Sequence, residues 1–248
     1  MKQQLVKHII ENFTDPYELQ KTYRSHPSYS LLTLEDFVPK HIVSAMAKEL
    51  DNVPLEDCKH FTRAGSCMYE YNDVTKTPVQ DAVIDALHSS TFIKWLQEVT
   101  DTVDLIPDPH LIGAGYVKSL TGDSLKVHCD FNWNEQIRLH RMLSLVIYLN
   151  DDWKEEWGGQ LQFYDRERQT VHSKVPVGNG NAVIWSYDNF AFHGYPEPMT
   201  NPKNTSRKAL RLFYYVSNAK HDDKHPPHRS LYWFDDKEKV PYDKPWTK

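Results

Sequence analysis

A chain of 248 residues is long enough for one large domain with its own core, and 40% hydrophobic against 25% charged residues is an ordinary globular balance, although length alone also permits two small domains. A net charge of -5 excludes a domain-wide basic footprint for a phosphate backbone, so no nucleic-acid partner is expected. The sparse cysteines Cys58, Cys67 and Cys129 give no disulfide framework, and no apolar run suits a signal peptide or a membrane span; a soluble, cytoplasmic protein is expected, its oligomeric state open. Tyr, Phe and Trp reach 12%, a supply suited to β-structure and cavity walls.

In chain order, Leu5, Ile9 and Phe13 space a short amphipathic helix. Pro39-Lys40 opens HIVSAMAKEL, whose Ile42, Val43, Met46 and Leu50 share one helical face. FTRAGSCMYEYNDVTKT, polar and aromatic without clear period, reads as a long hairpin or loop. Pro78 opens a single helix through VQDAVIDALHSSTFIKWLQEVT, with Val79, Val83, Leu87, Phe92, Leu96 and Val99 as its apolar set.

From Leu111 the text becomes strand-like. Short strands are expected at about 111–118, 124–130, 142–150, 159–164, 169–177, 181–187, 190–196 and 207–217, separated by turn signals such as Thr121-Gly122-Asp123 and Gly178-Asn179-Gly180-Asn181. Such strands at this spacing imply an antiparallel jelly roll or barrel. The expected organisation is a helical and mixed flank over 1–110, a β core over 111–217 and an irregular tail over 218–248, all of one domain.

The chemistry starts in LKVHCDFNW. His128 and Asp130 are alternate residues of an expected strand, so both side chains project from one face, with Leu125, Val127 and Cys129 opposite. Composition alone yields about one His-x-Asp, and a second copy occurs at His221-Asp222-Asp223, read as a solvated loop. Only the first has a later strand offering a distal ligand, His193. Two His and one carboxylate on one side of a metal leave positions open, the arrangement of non-haem iron(II) oxygenases. SRKALRLFYYV opens with Arg207, which shares a face with Ala209, Arg211, Phe213 and Tyr215; its fork suits the distal carboxylate of a 2-oxo diacid. Tyr148 has a hydroxyl for the same carboxylate or is a core tyrosine. Trp133, Trp157, Trp185 and Tyr187 are candidates for the pocket wall or for ordinary packing.

GDSLKVHCDFNW, RMLSLVIYLNDDWKEEWGGQLQFYD, FAFHGYPEP and SRKALRLFYYV together resemble the prolyl 4-hydroxylase-like branch of the 2-oxoglutarate/iron(II) oxygenases, in unbroken order over about 111–217, and LTLEDFVPKHIVSAMAKEL resembles the strand-then-helix lead-in of that branch. The resemblance implies a double-stranded β-helix, iron(II) on His128, Asp130 and His193, dioxygen and 2-oxoglutarate as cosubstrates, and ascorbate as a sustaining reductant. It places 2-oxoglutarate against Arg207 and Tyr148, with Tyr116 a weaker third contact, and points Arg141 toward the substrate. Arg207 lies fourteen residues beyond His193, farther than the branch commonly spaces this cation, and counting ten lands on Lys203, which competes for the role. Arg207 is preferred because it opens the apolar strand.

The leading expectation is hydroxylation of an unactivated C–H bond, best matched by a prolyl residue in a peptide or protein, with succinate and carbon dioxide released. FTRAGSCMYEYNDVTKT then serves as a lid, and Trp133 with Arg141 stands at the mouth of the site. A free amino acid or a sugar-linked small molecule fits the same metal chemistry. Nucleobase demethylation is disfavoured by the acidic charge, and because Arg207 and Arg211 are only four apart. A non-oxidative cupin-like sugar-binding jelly roll, or a metal-free binding module, explains the strands but not the triad.

Overall fold

Asp15 accepts hydrogen bonds from the backbone of Tyr17 and Glu18, and with Pro16 in the first turn it starts a helix that the amphipathic pattern did not reveal. In the computed structural model, which describes residues 1–26, 29–165, 170–187, 191–217 and 227–232, the chain runs α1 (Lys2–Asn12), α2 (Pro16–Arg24), β1 (Leu31–Leu34) and α3 (Lys40–Asp51). The hairpin β2 (Lys59–Arg63) and β3 (Ser66–Tyr71) follows, then α4 (Pro78–Leu87), α5 (Ser90–Thr100) and β4 (Ile106–Pro107). The core strands are β5 (Gly115–Ser119), β6 (Leu125–Cys129), β7 (Trp133–Asn134), β8 (Leu139–Tyr148), β9 (Leu161–Tyr164), β10 (Val171–Val175), β11 (Ala182–Ser186), β12 (His193–Tyr195) and β13 (Arg207–Val216). Among the described residues the final strand is the short β14 (Leu231–Tyr232).

Two antiparallel sheets result. The larger runs β1-β11-β8-β13-β5-β3-β2, with β4 on β13 and β7 on β8; the smaller runs β10-β9-β12-β6-β14. This is a mainly β, jelly-roll architecture with flanking helices. Alternation decides which layer each side chain joins. Leu143, Leu145 and Ile147 of β8, Ala182 and Ile184 of β11, and Leu210 and Leu212 of β13 pack under the helices with Leu5, Ile9, Met46, Phe92 and Leu96. Their neighbours Val146, Tyr148, Val183, Trp185 and Ala209 face the smaller sheet and meet Leu125, Leu161, Phe163 and Tyr195. Each fully buried Leu, Ile or Phe contributes roughly 1.5–3 kcal/mol by leaving water. The helices thus back the larger sheet, and the site opens between the sheets.

Several expectations need correction. The single helix over 78–100 is two. Ser89 donates to Ala86 O at 2.6 Å and accepts from Phe92 N at 3.4 Å, ending one helix and capping the next. The step from Leu87 to Phe92 is five residues, too long for one continuous apolar stripe. The strand expected from 111 starts at Gly115, because Leu111 and Gly113 hold φ of 51° and 65° and Asp108 accepts from the backbone of His110 and Ile112. FTRAGSCMYEYNDVTKT does contain a hairpin, turning at Ala64 and Gly65 with φ of 53° and 79°, and β3 pairs with β5 as a fixed part of the larger sheet. The tail is not wholly irregular: β14 pairs with β6. His221-Asp222-Asp223 lies outside the described residues. Among the described residues no helix is long and apolar enough to cross a membrane.

Candidate metal centre

The distal and proximal ligand strands are neighbours, with His193 of β12 paired directly across from His128 of β6. The ligand atoms of His128, Asp130 and His193 lie within 4.8 Å of one another, close enough to share one ion. His128 Nε2 is 3.5 Å from Asp130 Oδ1, and His193 Nε2 is 3.5 Å from Oδ2. Each imidazole spends its other nitrogen on backbone: His128 Nδ1 on Lys126 O at 2.9 Å and His193 Nδ1 on Ala191 O at 2.8 Å. An Nδ1–H donor leaves Nε2 as a lone pair, so both rings are set in the metal-binding tautomer. Burial pushes His193 down to about 4 against the upward pull of Asp130, which keeps the ring neutral at pH 7. Burial alone pushes the Asp130 carboxyl up, but Arg141, then His193 and His128, outweigh it and hold it well below the usual range. Two imidazoles and one carboxylate fit iron(II) as a facial set.

Two β-bulges shape this centre. Between His193 and Tyr195, β12 advances two residues while β6 goes from His128 to Leu125, three residues. Leu125 therefore lines the same pocket as His128, rather than facing away as simple alternation requires. On β8 the pairing passes from Leu143 to Arg141 while β13 advances only from Tyr214 to Tyr215. The extra residue, Met142, turns Arg141 inward beside Ser144, Val146 and Tyr148; without it Arg141 would join Leu143 and Leu145 under the helices.

Arg141 is 2% exposed, and its Nη2 donates to Asp130 Oδ2 at 2.7 Å and to Ser144 Oγ at 2.6 Å. Its guanidinium lies 3.4 Å from the Phe213 ring centroid and 4.6 Å from that of Phe131. Its Nε and Nη1 are buried without a hydrogen-bond partner among the described residues. The expectation aimed Arg141 at substrate; the structure commits it to the metal-ligand carboxylate, and it is not among the residues that line the pocket.

At the other end of the pocket Arg207 is 4% exposed, with Nε on Gly159 O at 2.8 Å and Nη2 on the Tyr148 hydroxyl at 3.3 Å. Its guanidinium lies 4.5 Å from the Tyr195 ring centroid and 5.0 Å from that of Tyr148. Among the described residues Arg207 has no carboxylate partner, so a buried cation with neutral neighbours lines the pocket. Gly159 permits this packing: a Cβ there would stand 2.6 Å from Met199 Sδ and 3.0 Å from Arg207 Cδ. Lys203, the competitor, is exposed in the turn before β13. Arg211 also lines the pocket but is spent on Gly113 O at 2.7 Å and on the Glu70 carboxylate of β3.

Tyr116 is not brought to the site. It lies on the helix side of β5, fully buried, and donates to Glu49 Oε2 at 2.7 Å; its neighbour Val117 lines the pocket instead. The error is one step of the strand, which exchanges faces. Of the candidate wall aromatics Trp185 lines the pocket, at 4.9 Å from His193. Trp157 packs on Trp153, Trp133 on His140, and Tyr187 on His228. The hairpin contributes Met68 to the wall. Missed in the sequence were Tyr195 over Arg207, Ser144 under Arg141 and Tyr232 against His128, at ring centroids 5.3 Å apart. Ser144 and Tyr195 become visible only with the bulges, and Tyr232 only with the pairing of β14.

Residues 114–215, the stretch carrying all three ligands and Arg207, match the model of the 2OG-Fe(II) oxygenase superfamily. No curated protein matches the chain. Among solved structures it is similar to a prolyl-4-hydroxylase of Pseudomonas putida, at 16% identity and a TM-score of 0.58 over 81% of this chain and 100% of that one. It is similar to a Trichoplax adhaerens prolyl hydroxylase in complex with a hypoxia inducible factor oxygen degradation domain peptide, at 14% identity and 0.59 over 83% and 92%. HygX of Streptomyces hygroscopicus, with nickel, 2-oxoglutarate and hygromycin B bound, aligns at 15% identity and 0.52 over 77% and 84%. At these identities the likeness is one of fold.

Proposed function

We propose that this chain is a 2OG-Fe(II) oxygenase, the superfamily whose model residues 114–215 match, and that it hydroxylates a prolyl residue in a peptide or protein. Bound by the triad, iron(II) supplies the redox chemistry by which dioxygen and 2-oxoglutarate give succinate, carbon dioxide and one oxygen atom for a C–H bond. His128, Asp130 and His193 hold the metal from one side. Arg141 and Ser144 fix Oδ2 of Asp130, so the carboxylate keeps one orientation. Arg207 and Tyr148 receive the distal carboxylate of 2-oxoglutarate, the ligand that gives the buried guanidinium a counter-charge. Trp185, Val146 and Leu161 keep the space between the two ends apolar.

The observation that carries the peptide reading is that two nitrogens of Arg141, Nε and Nη1, have no hydrogen-bond partner among the described residues. Its charge is already matched by Asp130, so the acceptor these donors suit is neutral, and a peptide carbonyl is such a group. Trp133, half-buried close by in sequence, offers an aromatic face for a proline ring. The hairpin is a fixed wall through Met68 in this reading, and the substrate lies against it. The likeness to a prolyl hydroxylase holding a peptide supports the same choice. The test is a panel of proline-containing peptides, read by succinate release above the uncoupled rate and a mass gain of one oxygen. Uncoupled turnover across the panel sinks the peptide reading.

The likeness to HygX with hygromycin B bound favours a second reading, a sugar-linked small molecule, and a free amino acid belongs to the same arm. Coupled turnover of such a metabolite, with peptides inert, selects it. Ascorbate is proposed as the sustaining reductant, checked by the number of turnovers with and without it.

A further inference from the structure

Residues 227–232 lie against the metal-binding strand. Leu231 pairs with Cys129 and Tyr232 with His128, so β6 is an interior strand held between β12 and β14 rather than an edge. The segment is latched upstream by His228, which is 0% exposed. The His228 backbone N–H donates to Asn132 Oδ1 at 2.7 Å, and Asn132 N–H returns a bond to His228 O at 3.3 Å. The His228 ring gives Nδ1–H to Arg229 O at 2.6 Å and accepts the Tyr187 hydroxyl on Nε2 at 2.7 Å. Asn132 is two residues past Asp130, and Tyr187 directly follows β11, so the latch ties the segment to both walls of the site.

What the latch delivers is an aromatic plane. The Tyr232 ring is 7% exposed and stacks on the His128 imidazole, centroids 5.3 Å apart and planes 23° from parallel. The Arg63 guanidinium of the hairpin lies 5.7 Å from the Tyr232 ring centroid. The His128 ring therefore has His193 near it at 4.5 Å and Tyr232 at 5.3 Å, while its Nδ1 is bonded to Lys126 O. Its rotation about the Cβ–Cγ bond, the freedom a metal ligand must lose on binding, is restricted before any ion arrives.

We infer that Tyr232, carried by this segment and latched through His228, is a positioning residue that pre-orients His128 for the metal. This rests on the metal-centre reading above. The test titrates the full metal-free chain anaerobically with cobalt(II), reading affinity and the visible absorption of the bound ion, with thermal melting of the metal-free chain in parallel. Tyr232→Leu keeps an apolar cover but removes the plane, and is expected to weaken cobalt binding on the order of 10- to 100-fold and to alter the spectrum. Tyr232→Phe restores both, and His228→Ala repeats the loss by freeing the segment. Parental affinity and spectrum in Tyr232→Leu, whatever its melting temperature, overturn the inference, as does an equal loss in Tyr232→Phe. If His128→Ala binds cobalt as tightly as the parent, the metal-centre reading itself has failed.

Discussion

Arg207 and Arg141 are both buried cations, Arg207 lining the pocket and Arg141 standing behind Asp130, and their surroundings assign them different tasks. Arg141 faces a carboxylate of the protein; among the described residues Arg207 faces only neutral acceptors and two aromatic rings. Removing Arg207 should therefore cost cosubstrate binding about 2–4 kcal/mol, the loss of a charge-assisted pair in a desolvated site. That corresponds to a rise of roughly tens- to several-hundred-fold in the 2-oxoglutarate dissociation constant, measured by calorimetry on Arg207→Ala, with Lys203→Ala near the parent. Sensitivity at Lys203 with Arg207 silent moves the anchor. Gly159→Ala tests the same corner from behind, because its Cβ crowds Met199 Sδ and Arg207 Cδ. The Michaelis constant for 2-oxoglutarate should rise while metal affinity holds; an unchanged constant shows that Arg207 does not need this close approach. At this scale His128, Asp130 and His193 were legible, because alternation and one distal histidine suffice to state them. Tyr116 was misplaced by one strand position, and Tyr195, Ser144 and Tyr232 were invisible, because each depends on a bulge or a pairing that leaves no local mark.

Elements were read best where the period was uninterrupted. HIVSAMAKEL gave its buried face correctly, and the eight expected core strands fell within a few residues of their places, with only the two-residue β7 unforeseen among the nine, because alternating layers on two sides of a sheet leave a period of two. The break between α4 and α5 was missed although Ser89 marks it. Ser89→Ala removes the cap of α5 and should lower stability by about 1 kcal/mol, seen as a shift in the urea midpoint without a change in slope. No shift assigns the break to tertiary packing alone. The bulge on β8 was not legible, since Met142 reads as one more apolar residue of a strand; only the pairing with β13 shows that one residue is extra.

The whole molecule stacks helices, a larger sheet and a smaller sheet, and the helix layer carries its own pH liability. His88 follows α4 with its ring 6.1 Å from Tyr214, its Nε2 buried without a partner among the described residues, and burial pushes its pKa from 6.5 down to about 4. The folded state thus binds fewer protons than the unfolded chain between these values. The contribution of neutral His88 is complete above pH 6.5 and is lost as pH falls toward 4. His88→Gln should flatten that part of the stability–pH curve, followed by urea midpoints at pH 7.5 and 4.5; an unchanged slope assigns the acid sensitivity elsewhere. The flanking layer was only partly legible, since α2 and the joining of β1 and the hairpin to the larger sheet depend on contacts between distant segments.

One measurement bears on the centre of the account, anaerobic iron(II) titration of the parent chain and of the triple variant His128→Ala/Asp130→Ala/His193→Ala, with circular dichroism confirming that both are folded. The parent is expected to bind one iron per chain and, on admission of air and 2-oxoglutarate, to form succinate; the triple variant is expected to do neither. Stoichiometric iron in the folded triple variant would contradict the assignment of these three residues as the metal centre.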